Sequence, residues 1–499
     1  MKLARRDLLK TVALGSSASV LASCDRITTS INQNWLGEGV PAHLHPAESA
    51  NIDPDFHLLS RASFGPWPGD VASLKKKSRD AWIEEQLHPD SLSDTACDLR
   101  AERFESLYFS AGDAYEFRKP VLREELTRHA LLRAVYSRRQ LFEVMVEFWT
   151  DHLNIDLEKG DCIYLKPSDD RDVIRRHALG NFHNLIRASA TSPAMLVYLD
   201  GKTNKVRRGT TDQPNENYAR ELMELHTLGV HGGYTQKDVY EAARCLSGWT
   251  FDPKRVFALN QGESYFRPDW HDDGAKEVLG QTIPAGGGQE DLKRLVDIVC
   301  RHPATAQYIA LKLCRRFVSP TPPASLLQRV AAEFTRTQGD IRSLLRVILK
   351  SDEFLASRGQ LLKRPFKFMV SALRAVAADT QADPSILEPL QRMGHGLFQY
   401  PTPDGYPDEE LPWMGTLMWR WNFALALAAN KQLGAKVNLQ PLHKALRQPG
   451  TKADLGRWFG YLIGRQPTEA ELAALTRFSP DSSASAIGLI LASPAFQRC

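Results

Sequence analysis

The densest cluster of polar side chains in the sequence lies between Asn215 and Gly229. A straight α-helix turns by about 100° per residue, so this segment would place five polar side chains on one face: Glu216, Asn217, Arg220, Glu221 and Glu224. Carboxylates held beside a guanidinium and away from water have shifted pKa values, which acid–base catalysis requires. We therefore predict Glu216, Arg220 and Glu221 to be catalytic. The alternative is a solvated charge ladder that only supports the helix.

A second candidate is His152, which ends a strongly apolar predicted helix. It shares a face with Phe148 and Trp149, which favours a hydrogen-bonded residue of the core. Asp151 and Asn154 lie beside it in the sequence, which favours a ligand or a general base. We predict a catalytic role for His152, with the core histidine as the alternative.

Histidine and carboxylate side chains also form metal sites, and four residues are predicted ligands of a divalent cation: His152, Glu221, His226 and His271. Such a cation would lower the pKa of a bound water for hydrolysis. His226 lies on the opposite side of its helix from Glu221, so the two could share an ion only at a helix end, at a kink or through a ligand between them. The spacings match no zinc template, and a charged surface turn is the alternative for the loop around His271.

A polar turn runs from Thr402 to Asp408 and is followed by a predicted helix over Pro412–Ala429. This helix carries three tryptophans together with Arg420. It could wall a substrate pocket, or it could belong to the core with a guanidinium at the surface.

The elements that must position these residues are helices. Apolar residues recur at helical spacing along most of the chain, and no window alternates with a period of two between hairpin turns. We therefore predict an all-α fold, a large multi-helical domain with long irregular loops. Two irregular stretches, Lys202–Pro214 and Thr250–Gly288, are long enough to be functional. Thr235 and Asp238 are predicted to cap a helix start.

The predicted organisation has five parts, namely an export signal (residues 1–23), a tether (24–53), an N-terminal helical domain with the candidate site (54–300), a helical continuation with the pocket-wall helix (301–431) and a C-terminal helical unit (432–499). The stretches Leu344–Phe354 and Ile487–Phe496 resemble each other. This favours a duplicated helical unit, with convergence of similar helices as the alternative.

The N-terminus has the features of an address signal. Arg5 and Arg6 precede a short apolar run, as in twin-arginine export signals. That run is too short to span a bilayer. Residues 21–24, Leu-Ala-Ser-Cys, resemble a lipobox, so we predict lipid attachment at Cys24 and a location on the periplasmic face of the inner membrane. The alternative is an ordinary N-terminal helix with a chance cysteine.

Charge and cysteine usage narrow the function further. The chain of 499 residues has 63 Lys and Arg against 59 Asp and Glu, a formal net charge of +4. This balance gives no broad basic field, so nucleic acid is not an expected partner. None of the seven cysteines forms a CxxC pair, and Cys245, Cys300 and Cys314 lie in apolar stripes as predicted buried thiols.

Several of these segments together resemble the bacterial family catalogued as domain of unknown function 1800 (DUF1800). The likeness runs from about His57 to Ala429 and is carried by seven stretches: His57–Gly65, Trp149–His152, Asn215–Gly229, Gly233–Thr235, Leu246–Thr250, His302–Ala306 and Thr402–Pro407. Ser60 stands where the family often has another arginine. Members often carry an export signal and are often encoded beside an exported sulfatase/phosphatase-like protein, which the resemblance implies as a partner. The family has no assigned reaction.

A fainter resemblance links Phe148–His152 and Glu224–Leu228 to the distal-histidine and core-helix segments of animal-type haem peroxidases. No proximal histidine segment follows, although His271 and His302 lie nearby. A divalent metal is therefore the first cofactor expectation and haem the second.

Three hypotheses follow for the function. The first is an exported, lipid-anchored enzyme that depends on a metal or cofactor, a hydrolase rather than an oxidoreductase, with substrate-binding residues Asn217, Glu224, Trp249, Asp404 and Tyr406. The second is a non-catalytic scaffold or partner subunit of the co-exported sulfatase-like protein. The third is an oxidoreductase of the haem-peroxidase type.

Overall fold

The computed structural model describes residues 27–207, 209–252, 262–446, 454–478 and 483–499. These residues are mainly α-helical, so the all-α prediction is confirmed. The first half contains the α-helices Pro54–Ala62, Asp70–Lys77, Arg79–Leu87, Thr95–Ala101, Lys119–Tyr136, Gln140–His152, Cys162–Asp169, Phe182–Ala190, Pro193–Tyr198, Asn217–Glu221 and Gln236–Leu246, and residues 27–35 are also helical. The second half contains Glu290–Arg301, Pro303–Phe317, Ala324–Thr337, Ile341–Leu349, Asp352–Ala356, Pro365–Ala375, Pro384–Arg392, Leu411–Met414, Leu417–Ala428, Gln440–Ala445, Leu455–Ile463, Glu469–Phe478, Ser483–Ala492 and Pro494–Gln497.

Other regular elements are short. Two segments form π-helices, Asp170–Arg175 and Leu222–Thr227. The 3₁₀ turns are Pro89–Ser91, Glu105–Tyr108, Asp113–Glu116, Gly201–Thr203 and Pro268–Trp270. Three antiparallel ribbons pair Trp249–Thr250 with Tyr265–Phe266, Lys276–Val278 with Gln281–Ile283, and Asp379–Thr380 with Ala435–Lys436.

Local sequence signals explain where many helices begin. The capping box between Thr235 and Asp238 is present, because each side chain bonds to the backbone of the other residue. The Asn181 side chain likewise accepts hydrogen bonds from the first turn of Phe182–Ala190. Gly229 follows the polar helix with φ +80°, as a helix stop requires.

A continuous hydrophobic core holds these helices together and includes residues from Leu44 to Phe496. The helix Pro365–Ala375 lies within it, and every one of its residues is buried. Cys245, Cys300 and Cys314 are buried free thiols, as predicted. Within the described ranges, no helix has the length and apolar character needed to cross a bilayer.

The described part of the predicted tether packs against the helical body. Glu38 and Arg100 form a buried ion pair, with Glu38 Oε2 2.8 Å from Arg100 Nη2. Asn32 donates to Glu38 at 3.1 Å and to the Ala96 carbonyl at 3.0 Å. The sequence looks like a linker because it is polar and contains proline, yet its polar groups find partners on the body.

The two similar stretches have the same local structure. Ser351 and Ser493 each cap a short helix that follows a longer one, and each hydroxyl accepts from a backbone N–H three residues later. Phe354 and Phe496, which supply those N–H groups, are both buried. The duplication and the predicted domain boundaries stay predictions.

Candidate functional site

The predicted polar helix changes its geometry in the middle. Asn217–Glu221 is α-helical, and Leu222–Thr227 continues as a π-helix. The Leu228 N–H donates to the Met223 carbonyl at 2.8 Å, five residues back. The Thr227 hydroxyl donates to the Leu222 carbonyl at 2.7 Å. A π-turn rotates all later side chains relative to an α-helix, so the straight-helix arrangement of the acids does not hold beyond Glu221.

The first pair of the charge ladder faces solvent. Arg220 Nη2 lies 3.0 Å from Glu216 Oε2, and the two side chains are 39% and 30% exposed. Gln236 donates to the same carboxylate oxygen at 2.6 Å. This pair is not shielded from water, and its geometry matches the alternative of a solvated ladder.

The next two acids are partly buried. Glu224 accepts a hydrogen bond from the Tyr234 hydroxyl at 3.0 Å. Burial raises the pKa of Glu221, and the nearby negative charge of Glu224 raises it further. Asn217 donates to the Leu199 carbonyl at 3.0 Å, so its amide anchors the helix start.

His152 is sealed in the core. Its side chain lies among the rings of Phe148, Trp149 and Phe182, and its Nε2 donates to the His226 carbonyl at 3.0 Å. Burial lowers the pKa of His152 to about 3. The ring of His226 lies 6.2 Å away, and burial also lowers its pKa to about 3. The two histidines are therefore neighbours on the buried side of the polar helix, away from the exposed Glu216–Arg220 pair.

His271 lies in a different environment. Its Nδ1 donates to the Ser247 carbonyl at 2.8 Å, and its Nε2 is 3.2 Å from Asp291 Oδ2. Lys276 donates to the same Asp291 oxygen at 2.6 Å, so this buried group is a structural ion-pair cluster.

The predicted metal ligands do not gather at one place. Only His152 and His226 adjoin each other, and His152 Nε2 is occupied by a carbonyl. The described residues contain no group of three or more His, Cys, Asp or Glu side chains that could hold a metal ion. The residues present therefore do not fit the expected cation, and no step is derived through one.

The Thr402–Asp408 turn, predicted to bind substrate, makes hydrogen bonds to other parts of the fold. The Tyr406 backbone N–H donates to Asp151 Oδ1 at 2.7 Å, and the Tyr406 hydroxyl donates to the Gly396 carbonyl at 2.7 Å. The Thr402 hydroxyl bonds to Asp404 Oδ1 at 2.5 Å. Trp249 pairs with Phe266 in a ribbon, so its ring packs rather than lines a pocket with Asp404.

A buried network of charges fixes that turn. Arg364 donates to Asp151 at 2.6 Å and to Asp408 at 2.7 Å, and Lys312 donates to Asp408 at 2.9 Å. Two cations thus balance two carboxylates, and Lys312 and Arg364 hold the pKa of Asp408 at about 2 although burial opposes them. These contacts hold the segments around Asp151 and Tyr406 together, so their role is structural. Arg420, predicted on the pocket-wall helix, is fully buried and donates to the Lys363 carbonyl at 2.7 Å.

A cavity of about 740 Å³ lies elsewhere, between the 41–47 segment and the helices that carry Ser60, Ser371 and Tyr461. Its mouth is lined by exposed side chains that include His45, Lys75 and Lys76. Buried residues also line the cavity, and this buried part of the lining, here called the inner wall, includes Ser60, Gly65, Lys363 and Ser371. This volume is typical of sites for organic ligands.

Lys363 and Ser371 form a hydrogen-bonded pair on this inner wall. Lys363 Nζ donates to Ser371 Oγ at 3.2 Å, the Ser371 hydroxyl donates to the Phe368 carbonyl at 2.9 Å, and both side chains are buried. The ammonium position is 3.7 Å from the centre of the Phe496 ring. Burial lowers the pKa of Lys363 to about 8, although the negative charge of Cys499 opposes this shift, and the Arg420 cation adds to it. Among the described residues, no carboxylate forms an ion pair with Lys363.

The surrounding elements keep this pair in place. Lys363 precedes Pro365, which starts the buried helix that carries Ser371. The Lys363 backbone N–H donates to the Gln497 carbonyl at 2.8 Å, so the end of the chain holds it. Gly65 has φ +115°, and a Cβ there would lie 3.0 Å from Ser371 Cβ. The glycine therefore leaves the approach to the serine open.

A second buried lysine offers a comparison on the same helix. Lys367 Nζ donates to the Arg61 carbonyl at 3.2 Å and has no hydroxyl partner. Burial lowers the pKa of Lys367 to about 7. Lys363 is thus the lysine that faces a potential nucleophile. Sequence reasoning missed this pair, because the Pro365–Ala375 helix also contains Lys367 and Arg374 and nothing in the sequence distinguishes Lys363 from them.

The described residues form a large helical protein. Its cavity has the size of an organic ligand, and the buried Lys363–Ser371 pair lines this cavity. The chain belongs to the family described as "Protein of unknown function (DUF1800)", whose model matches residues 57–498. The predicted family is thus confirmed, and the match extends past Ala429 into the C-terminal helices. No curated protein and no solved structure matches the chain.

Proposed function

We propose that this protein is an exported, lipid-anchored hydrolase in which Ser371 is the nucleophile and Lys363 is the general base. The hydrogen bond between Lys363 Nζ and Ser371 Oγ, on the wall of the 740 Å³ cavity, carries the proposal. Serine activated by lysine is a known variant of serine catalysis and needs a lysine that is neutral near the working pH. The burial of Lys363 supports that state. This chemistry replaces the predicted metal-dependent hydrolysis, whose ligands are dispersed.

The reaction would pass through an acyl-enzyme. The neutral amine of Lys363 takes the hydroxyl proton while Ser371 Oγ bonds to the substrate carbonyl carbon. The bond to the leaving group then breaks, and Lys363 returns the proton to that group. A water molecule next gives a proton to Lys363 and attacks the acyl carbon, which releases the acid. Lys363 finally returns that proton to Ser371 Oγ.

The negative charge of the tetrahedral intermediate needs a donor. Ser60 lines the same inner wall and is buried. We therefore assign its hydroxyl as the hydrogen-bond donor to the tetrahedral intermediate. Hydroxyl groups act as oxyanion donors in several enzymes, and removal of one such donor typically lowers kcat by about 10²–10³.

Covalent labelling tests the proposal directly. The purified full chain is incubated with a fluorophosphonate, which phosphonylates activated serines, and the modified residue is located by peptide mass spectrometry. We expect one adduct, on Ser371, that is lost in Ser371→Ala and forms at least tenfold more slowly in Lys363→Met. Ser73→Ala removes an exposed hydroxyl at the same cavity and is the matched control. An adduct on another serine, or none on a folded chain, would refute the assignment.

The anchoring part of the proposal rests on the sequence alone, because the export signal and Cys24 lie outside the described residues. Mass spectrometry of the protein extracted from membranes is expected to find a diacylglyceryl-modified Cys24 as the first residue. Cys24→Ser should abolish that modification and release the protein into the soluble periplasmic fraction. An unprocessed N-terminus upstream of Cys24 would contradict the anchor and the twin-arginine route.

A second candidate function is the partner-subunit role, which one observation favours. Five large apolar side chains at helical spacing are exposed along Leu411–Met414 and Leu417–Ala428: Leu411, Met414, Met418, Trp421 and Leu425. Exposed stripes of this kind often mark protein interfaces. Co-expression with the neighbouring sulfatase/phosphatase-like protein, followed by size-exclusion chromatography, should give a complex that Met418→Glu and Trp421→Glu dissolve. Two separate elution peaks for the unchanged proteins would argue against it.

A further inference from the structure

We propose that the substrate is an amphiphile: a carboxylic ester with an apolar acyl chain that fills the cavity and an anionic group that lies at its mouth. This inference rests on the proposed function and adds the class of substrate to it. It is carried by the distribution of apolar and cationic side chains around the cavity.

The wall between mouth and inner end is apolar. It is formed by aliphatic and aromatic side chains from five separate parts of the chain: Leu44, Phe56, Val71, Tyr461, Leu462 and Phe496. Phe496 also faces Lys363, so the apolar wall reaches the proposed catalytic pair. Apolar surfaces of this kind bind hydrocarbon because both lose contact with water.

The mouth carries a net positive charge. Lys75 pairs with Asp53 at 2.6 Å, which leaves one lysine in excess. Lys76 is exposed, lines the cavity and forms no ion pair with any described residue. A phosphate or carboxylate on the substrate would meet this charge, whereas a cationic group would be repelled.

The position of the pair agrees with this orientation. Lys363 and Ser371 are buried at the inner wall, while the lysines of the mouth are exposed. An acyl chain must therefore bind along the apolar wall with its carbonyl carbon at Ser371. The anionic group must then leave toward Lys76.

Ester hydrolysis by the full chain tests acyl length. With p-nitrophenyl esters of two, four, eight and twelve carbons, kcat/KM should rise at least tenfold from the two-carbon to the eight-carbon ester. Val71→Trp narrows the cavity and should remove this rise, so that kcat/KM no longer increases from the two-carbon to the eight-carbon ester. A flat dependence on length in a chain whose Ser371 is labelled by the fluorophosphonate would overturn the substrate class and leave the hydrolase standing. Absence of labelling would instead remove the proposed function itself.

Head-group charge is tested with lipids of identical acyl chain. Lysophosphatidylglycerol should be hydrolysed at least tenfold faster than lysophosphatidylcholine, and Lys76→Glu should abolish this preference. Lys77→Glu, a neighbour outside the cavity that pairs with Glu85, is the matched control and should keep it. Equal rates for the two lipids in the unchanged protein would overturn the anionic group.

Such an ester could come from a membrane or from solution, and a third experiment distinguishes the two sources. Phosphatidylglycerol vesicles present the ester in a membrane, whereas a monomeric short-chain ester of a dicarboxylic acid presents it in solution. Turnover on vesicles assigns the substrate to the membrane. Turnover on the monomeric anion alone assigns it to a soluble acyl ester.

Discussion

At the scale of single residues, the protein places reactive groups where water is scarce. Lys363 forms no ion pair with a carboxylate among the described residues and lies against an aromatic ring and a hydroxyl. Burial disfavours its charged form, which prepares the amine to accept a proton. The exposed Glu216–Arg220 pair lacks this advantage, since water screens its charges. Burial, rather than the density of charge in the sequence, thus distinguishes the two candidate sites.

The pH dependence of hydrolysis follows from this burial. A general base must be deprotonated, so kcat/KM should rise as pH increases and level off above a pKa of about 8. The measurement is a pH–rate profile from pH 6 to 10 with a soluble ester, values chosen to span about two units on each side of that pKa. Lys367→Met should keep this limb, because Lys367 faces a carbonyl and not the serine. A profile without a limb near pH 8 would argue against Lys363 as the base.

Gly65 offers a test of access to the serine. Gly65→Ala should slow fluorophosphonate labelling of Ser371 at least tenfold, since the new Cβ would lie 3.0 Å from Ser371 Cβ. It should also lower the free energy of unfolding by about 1 kcal/mol or more, because alanine is strained at positive φ. Gly280→Ala is the matched control. Its φ is +72° and it has no atom within 4 Å of the added Cβ, so labelling should stay normal. Equal labelling of both variants would contradict the close approach.

At the scale of elements, the polar helix is held by its buried side. His226 is buried at the π-helix, and neither ring nitrogen has a hydrogen-bond partner in the described structure. An imidazole in such a place stays neutral. We therefore expect the stability of the polar helix to depend on the neutral, buried histidines on its inner face more than on the exposed Glu216–Arg220 pair.

Acid should destabilise this region. His57, His152 and His226 have folded pKa values of about 3, whereas an unfolded histidine titrates near its ordinary value of about 6.5. Between these values only the unfolded chain binds the protons, so stability falls as pH decreases from about 6.5 toward 3. His226→Phe should reduce the slope of unfolding free energy against pH by about 1.4 kcal/mol per pH unit in this window. Urea unfolding at pH 5 and 6 measures it, and an unchanged slope would refute the prediction.

The 27–53 segment should depend on its buried ion pair. Glu38→Gln leaves Arg100 without its closest carboxylate and should cost about 3 kcal/mol. Hydrogen exchange should then increase between residues 32 and 44. Glu158→Gln breaks an exposed pair with Arg123 and should cost less than about 1 kcal/mol. Equal costs for the two variants would show that the Glu38 contact does not hold the segment.

At the scale of the whole molecule, residues 497–499 bond to the 361–363 segment in the middle of the chain. Leu361 and Cys499 exchange backbone hydrogen bonds at 3.3 and 2.9 Å, and Lys363 bonds to Gln497. The helix Leu417–Ala428 also packs against Ser483–Ala492. The last helices therefore complete the surroundings of the proposed catalytic lysine.

Removal of residues 432–499 tests whether the predicted C-terminal unit is independent. The shortened chain should lose its cooperative thermal transition, because the contacts of Leu361 and Lys363 with the chain end would be gone. It should also fail to label at Ser371. A folded fragment with a normal transition would instead support a separate domain over 432–499.

The sequence predicted the all-α fold, whereas it gave no sign of the Lys363–Ser371 pair, and both outcomes have physical reasons. Periodicity and capping are local signals, so Phe182–Ala190 and the Thr235–Asp238 box could be found from neighbouring residues alone. The π-turn at Leu222–Thr227 depends on tertiary packing. The Lys363–Ser371 pair depends on a backbone contact with Gln497, far along the chain. Long-range contacts of this kind leave no periodic signature.

The buried helix Pro365–Ala375 should tolerate substitution less well than the exposed residues at the mouth of the cavity. Each of its side chains is enclosed, so a substitution there alters packing as well as chemistry. The residues at the cavity mouth, His45, Lys75 and Lys76, are exposed and border the same space. Anyone who wishes to re-engineer selectivity should therefore randomise the mouth and leave this helix untouched, since new preferences would arise there without loss of the scaffold.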